Sequence, residues 1–263
     1  MSDNPNDTND KNLDPADEQG ASKPVTIERV LEVLQEGQID EEYGILRWSS
    51  NYAFLMSLTH EDVNLMAVYK PQMGERPLWD FPDGTLCFRE VAAFLTSQEL
   101  GWQIVPPTVL REGPRGIGSI QFYIDHDPEV NYFSLDENAY PQLMRMAAFD
   151  YVVNNADRKG GHCLVDGQQH IWGIDHGIAF HTEHKLRTVI WDFAGQEIPD
   201  NLLKDLDALC VKLTDQDSAF QQALCGLISG PEMKAVNNRL RRLLNSRRYP
   251  RPGPGPNYPW PPV

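Results

Sequence analysis

Apolar residues at Ile27, Val30, Leu31 and Leu34 recur at the three-and-four spacing that turns one helix face toward a core. The period then shortens: residues 44–48, 53–58 and 65–70 read as strands, so a helix followed by an antiparallel meander opens the ordered chain. Helical spacing returns over residues 85–100, where Val91, Phe94, Leu95 and Leu100 share a face and Gly101 supplies a stop. Strands over residues 105–110 and 119–124 complete this half. From Tyr140 onward a stripe of Leu143, Met146, Phe149, Val152 and Val153 predicts a helix reaching Asn155, and residues 200–213, 217–228 and 231–245 predict three more. The change of character places a lobe boundary near residues 125–139. No internal repeat is visible.

The two ends differ from this body. Residues 1–24 are rich in Asp, Asn, Pro and Ser with few large apolar side chains, and predict a disordered acidic tail. Residues 247–263 hold seven prolines with Tyr249, Tyr258 and Trp260 among them. That composition favours extended chain, either wrapping the body or binding a partner. The expected organisation is therefore a tail (1–24), a strand-rich lobe (25–125), a helical lobe (126–246) and a proline-rich tail (247–263).

Composition narrows the function classes. A chain of 263 residues with 41% hydrophobic content can bury a substantial core. The net charge is −15, of which the first 24 residues account for −4, so the body itself is acidic. This argues against nucleic acid as a partner and, more weakly, against unaided docking on an anionic membrane. No run of about 18 uncharged apolar residues could span a bilayer, and the expectation is a soluble, cytoplasmic protein without a transmembrane segment. Cys87, Cys163, Cys210 and Cys225 form no CxxC pair and are expected to be reduced, buried and structural.

Chemistry concentrates in residues 154–177. Asn154-Asn155-Ala156-Asp157-Arg158-Lys159-Gly160-Gly161-His162 follows an apolar helix, and Asp175-His176-Gly177 follows an apolar run that pairs with residues 163–165 across a turn at Asp166-Gly167. Closing that hairpin brings its open ends together. Asp157 and His162 should then lie near Asp175, and two converging carboxylates call for a divalent cation. Taken singly, Asp157-Arg158 could be a local ion pair and Asp175-His176-Gly177 a tight turn.

Taken together, an Asp, a Lys two later, a ligand-type residue five later, a hairpin and then Asp-x-Gly reproduce the catalytic and metal loops of kinases. The order resembles the phosphatidylinositol 3- and 4-kinase family, especially its type II 4-kinases, and is similar to HipA-type bacterial protein kinases. The resemblance extends upstream through Val68-Tyr69-Lys70-Pro71, Arg89-Glu90-Val91-Ala92-Ala93-Phe94 and Ile104-Val105-Pro106-Pro107-Thr108, covering residues 45–180. It implies an α+β, two-lobed protein-kinase-like fold with an antiparallel sheet plus helix in one lobe and a mainly helical second lobe. It also implies ATP and magnesium as cofactors, and a hydroxyl of a protein, small molecule or lipid head group as acceptor. Residue by residue, Lys70 would hold the nucleotide phosphates and Glu90 would pair with it. Asp157 would orient or deprotonate the acceptor, Lys159 would contact the transferred phosphate, and Asp175 with His162 would bind the metal.

Two positions depart from the family pattern. His162 stands where Asn is expected; an imidazole there favours manganese over magnesium and should lose ligation as it protonates near pH 6. Ser49, Ser50 and Asn51 replace a glycine-rich turn, and their hydroxyls and amides would cradle phosphate. These departures motivate an alternative, a nucleotide-binding pseudokinase. A further alternative is a metal hydrolase using His181 and His184 with His162, His176 and Asp175. Arg239, Arg241, Arg242, Arg247 and Arg248 form a basic patch expected to be a solvated helix face. Residues 79–84 have no assigned role beyond a pocket wall.

Overall fold

A computed structural model describes residues 25–45 and 52–263. Helix α1 (Ile27–Glu36) starts at Thr26, whose side chain accepts from the Arg29 N–H at 3.3 Å, and it buries Val30, Val33 and Leu34. That face covers a five-stranded, fully antiparallel sheet made of β1 (Gln38–Ile45), β2 (Phe54–His60), β3 (Val63–Pro71), β4 (Thr108–Gly113) and β5 (Gly116–Phe122). The strand order is β1-β2-β3-β5-β4. Helix α2 (Leu86–Glu99) intervenes between β3 and β4 and packs on β4 and β5.

Three strand boundaries differ from the expected ones for identifiable reasons. The first strand begins at Gln38 rather than residue 44, because its acidic stretch Asp40-Glu41-Glu42 and two register shifts against β2 conceal the alternation; an edge strand tolerates both. β4 begins at Thr108 rather than residue 105. Pro106 and Pro107 have no N–H to give a ladder, and the Ile104 and Val105 N–H groups donate to Ser97 Oγ at 2.8 and 3.1 Å instead. β5 starts early, at Gly116, because a tight turn pairs Gly113 with Gly116.

The second half is mainly helical. It contains α3 (Tyr140–Val153), a short hairpin of β6 (Cys163–Val165) and β7 (Ile171–Gly173), α4 (Asp200–Thr214), α5 (Ala219–Cys225) and α6 (Gly230–Ser246). Its core runs continuously into Ala92, Ala93 and Phe94 of α2, whereas the sheet and α1 bury a separate apolar cluster. Helix α2 thus belongs by packing to both halves. The buried Arg89–Glu232 pair at 2.6 Å ties α2 to α6, and Arg89 also donates to the Ala179 carbonyl at 2.7 Å. The result is the two-lobed α+β arrangement of a sheet with its helix and a helical partner.

Arg239 corrects the expectation of a solvated basic face. It is buried on the α6 stripe with Val236, Leu240 and Leu243, and its Nε donates to the Val152 carbonyl at 2.8 Å. That carbonyl belongs to the last turn of α3, where no intrahelical donor remains. Burial pulls the Arg239 pKa down to about 10, so it still carries its charge at neutral pH. Arg241, Arg242, Arg247 and Arg248 are exposed. Cys87, Cys163 and Cys210 are buried as expected, but Cys225, the last residue of α5, is exposed. No helix among the described residues is long and apolar enough to cross a membrane. Residues 1–24 and 46–51 lie outside the described residues, which includes the expected acidic tail and the Ser49-Ser50-Asn51 turn.

Candidate active site

Helix α3 ends at Asn154, which adopts φ +57° and uses its side chain as a clamp. Its Nδ2 donates to the His181 and Glu183 carbonyls at 2.9 and 2.6 Å, and its Oδ1 accepts from the Lys185 N–H at 2.9 Å. Asn155 follows, with its Oδ1 accepting from the Asp157 N–H at 3.0 Å. These short polar side chains satisfy the backbone of a tight exit from the helix. They aim Asp157 outward from a buried base.

That base is held by Arg158, fully buried and paired with the fully buried Asp150 at 3.0 Å. Arg158 also donates to the His162 and Ile174 carbonyls at 3.1 and 3.0 Å and to His176 Nε2 at 2.6 Å. One guanidinium therefore joins the loop after α3 to the strand leading into Asp175. The local Asp157–Arg158 ion pair does not form; Arg158 pairs with Asp150 instead. His176, buried against Phe149, accepts from Arg158 and must carry its proton on Nδ1, which has no partner among the described residues. Burial and the adjacent guanidinium hold its pKa well below the ordinary imidazole range.

The charged centre forms where three elements meet. The Lys70 ammonium, at the end of β3, pairs with Glu90 of α2 and lies 3.0 Å from Asp175 Oδ1. The other Glu90 oxygen accepts from the His176 N–H at 3.0 Å, so the carboxylate is fixed from two sides. Burial would lower the Lys70 pKa, but Asp175 and Glu90 outweigh it and keep the ammonium charged. Asp175 shows the reciprocal balance: burial raises its pKa, Lys70 overrides this, and it stays ionised. Its backbone sits at φ +61°, a left-handed conformation uncommon outside glycine and Asn or Asp.

His162 sits between the two aspartates. Its Nδ1 lies 2.9 Å from the Asp157 carbonyl, which can only accept, so Nδ1 carries the hydrogen. Nε2 is then a lone-pair donor facing Asp175 Oδ2 at 3.5 Å. Burial drives the His162 pKa down to about 4, leaving it neutral at physiological pH and correcting the expected protonation near pH 6. Two lone-pair donors facing each other across this gap are a fit for a shared cation. Among the described residues no three His, Cys, Asp or Glu side chains gather into an all-protein cage, so such an ion would need its remaining ligands from phosphate and water.

Asp157 itself accepts a salt bridge from Lys159 at 3.1 Å. Burial raises its pKa to about 6, with Lys159 opposing the rise. Lys70, Glu90, Asp157, Lys159, His162 and Asp175 are thus brought into one constellation, while Ser49, Ser50 and Asn51 lie outside the described residues. The hydrolase set does not assemble. His181 Nδ1 accepts from the Glu183 N–H at 3.0 Å, leaving Nε2 to donate to the Asp80 carbonyl at 2.9 Å, so neither nitrogen is available to a metal. Residues 79–84 lie against this loop through a 2.7 Å Asp80–Lys185 bridge. Sequence reasoning missed Asp150 altogether, and gave Arg158 and His176 other partners than the ones they have. A charged residue on the apolar face of a predicted helix, as Asp150 is, was the available signal.

No family model matches the chain. Over an alignment of 129 positions the chain is 29% identical to Phosphatidylinositol 4-kinase gamma 4 of Oryza sativa subsp. japonica, covering 41% of this chain and 22% of that protein. Among solved structures, the Helicobacter pylori proinflammatory kinase CtkA superposes with a TM-score of 0.47 at 13% identity, over 82% of this chain and 94% of that one. Protein Rv2133c of Mycobacterium tuberculosis is 39% identical over an alignment of 266 positions, covering 87% of this chain and 94% of that protein. The chain belongs to the family of Protein Rv2133c.

Proposed function

We propose that this protein is an ATP-dependent phosphotransferase with a kinase-like site, acting on a hydroxyl-bearing acceptor. The observation that carries the proposal is the placement of Lys70 between Glu90 and Asp175. A half-buried lysine held by two carboxylates from separate elements keeps its charge and its direction, and its third N–H is free to take a phosphate oxygen. The partial similarity to a protein named as a phosphatidylinositol 4-kinase points the same way.

In this reading Glu90 keeps Lys70 aimed at the nucleotide phosphates. Asp175 and His162 Nε2 would hold a divalent cation, which when bound draws charge from the phosphate oxygens. His162 stays neutral through its buried setting and its Nδ1–H bond, and the nitrogen donor suits manganese as well as magnesium. Asp157, with a pKa near 6, is ionised at neutral pH yet basic enough to take a proton from the acceptor hydroxyl as it attacks. Lys159 neutralises charge beside it. The acidic surface argues that a lipid acceptor would need help to be reached.

The test is incubation of the purified protein with γ-labelled ATP, magnesium or manganese, and separate protein, polyol and inositol-lipid acceptors. Label on an acceptor, lost in Lys70→Met, supports the reading. ATP binding without transfer under every condition would leave a nucleotide-binding module instead.

A further inference from the structure

The proline-rich segment lies along the body, and its position bears on the acceptor. Tyr249 anchors its start: it is 3% exposed in the core and its hydroxyl donates to the Met144 carbonyl at 3.0 Å. Beyond it the hold changes. From residue 251 to 263 only Pro259 is buried, and Tyr258 and Trp260 are 58% and 89% exposed. This stretch is retained chiefly by carbonyls. Asn257 O accepts from the Thr188 N–H and from the Trp191 indole N–H, each at 3.1 Å, and Pro262 O accepts from the Gly160 N–H at 2.7 Å.

These donors flank the proposed transfer site. Gly160 follows Lys159, whose ammonium is 3.1 Å from Asp157, and Thr188 bridges in parallel to Arg158. The Phe133 ring lies directly over Gly160, where a Cβ would come within 2.6 Å of it. Backbone donors, an indole N–H and aromatic rings, here those of Phe133 and Trp191 on the body, are the means by which grooves take up extended, proline-rich chain. A segment that buries one proline and offers its carbonyls is a displaceable occupant rather than part of the core.

We propose that the groove between Gly160 and Trp191 is the acceptor site for an extended polypeptide, and that residues 257–262 are its resident intramolecular occupant. The assignment to an acceptor rests on the phosphotransferase reading; the groove and its occupant do not. A protein acceptor enters by displacing the segment, and its hydroxyl-bearing residue then comes beside Asp157.

The test uses full-length protein carrying a protease site in place of residues 253–256, folded intact and then cut. Cutting should release the segment on gel filtration without loss of fold. A synthetic peptide of residues 251–263 should then bind the cut protein at least about tenfold tighter than the uncut one, the ratio expected if the tethered segment fills the groove nine-tenths of the time. Trp191→Phe, which keeps the ring and removes the N–H, should weaken that binding about fivefold. With ATP present, excess peptide should suppress labelling of a protein acceptor while ATP affinity is unchanged. Retention of the cut segment through gel filtration, or a fall in thermal midpoint of several degrees on its release, makes it a structural brace and overturns the proposal. Peptide binding with no labelling of protein acceptors overturns the acceptor assignment alone. Binding needs no ATP, so its failure leaves the phosphotransferase reading standing.

Discussion

The Lys70 ammonium lies 3.0 Å from the Asp175 carboxylate although 105 positions separate them in the chain. The contact crosses from the last residues of β3 to the exit of the β6–β7 hairpin, and Glu90 closes the triangle from α2. Lys70→Met should therefore lower ATP affinity at least about tenfold and turnover at least about a hundredfold, the scale on which a phosphate-positioning charge acts. Glu90→Gln, which keeps the shape and the bond from His176 N–H, should lose less affinity than Lys70→Met. Isothermal titration with ATP and initial-rate measurements separate the two.

The pH profile should turn on Asp157. With its pKa raised to about 6 by burial, the reactive carboxylate is present above that pH and protonated below it, so transfer should fall with unit slope as pH drops through about 6. Lys159 opposes the rise. Lys159→Met should then move this limb to higher pH by about one unit. A limb unmoved by that substitution removes Asp157 as the titrating group.

His162 should not set that limb, because its pKa lies near 4. His162→Asn exchanges a nitrogen donor for an oxygen and should raise the ratio of magnesium- to manganese-supported turnover. An unchanged ratio would mean that the imidazole serves the loop only through its bond to the Asp157 carbonyl.

Arg158→Met should destabilise the protein by about 3–5 kcal/mol, the cost of leaving a buried carboxylate such as Asp150 uncompensated. Urea unfolding gives the number. The double variant Arg158→Met with Asp150→Leu should recover much of that stability yet remain slow in transfer, because the loops carrying Asp157 and Asp175 lose their common tie.

Much of this site could be read from the chain. Lys70 at the end of a strand, Glu90 on the next helix and two aspartates framing a hairpin are short-range patterns whose meeting follows from the expected topology. The edge strand β1 was less visible, because bulges and acidic residues erase its alternation. The sequence leaves open a pairing of Arg158 with its neighbour Asp157, since only the turn at Asn154 and Asn155 points it back to Asp150 in the last turn of α3. Arg239 was expected to be solvated because charge alone says nothing of which helix face meets the end of α3. The His162 pKa also depends on burial, which spacing cannot supply.

The most direct measurement compares Asp157→Asn and Asp175→Asn in one experiment: metal-dependent ATP binding by titration and single-turnover transfer from γ-labelled ATP. Both variants should lose at least about a hundredfold in transfer, but only Asp175→Asn should lose metal-dependent ATP affinity, since the proposal puts Asp157 on the acceptor and Asp175 on the nucleotide. Equal losses of affinity in both variants, or transfer untouched in either, would contradict a phosphotransferase built on this pair.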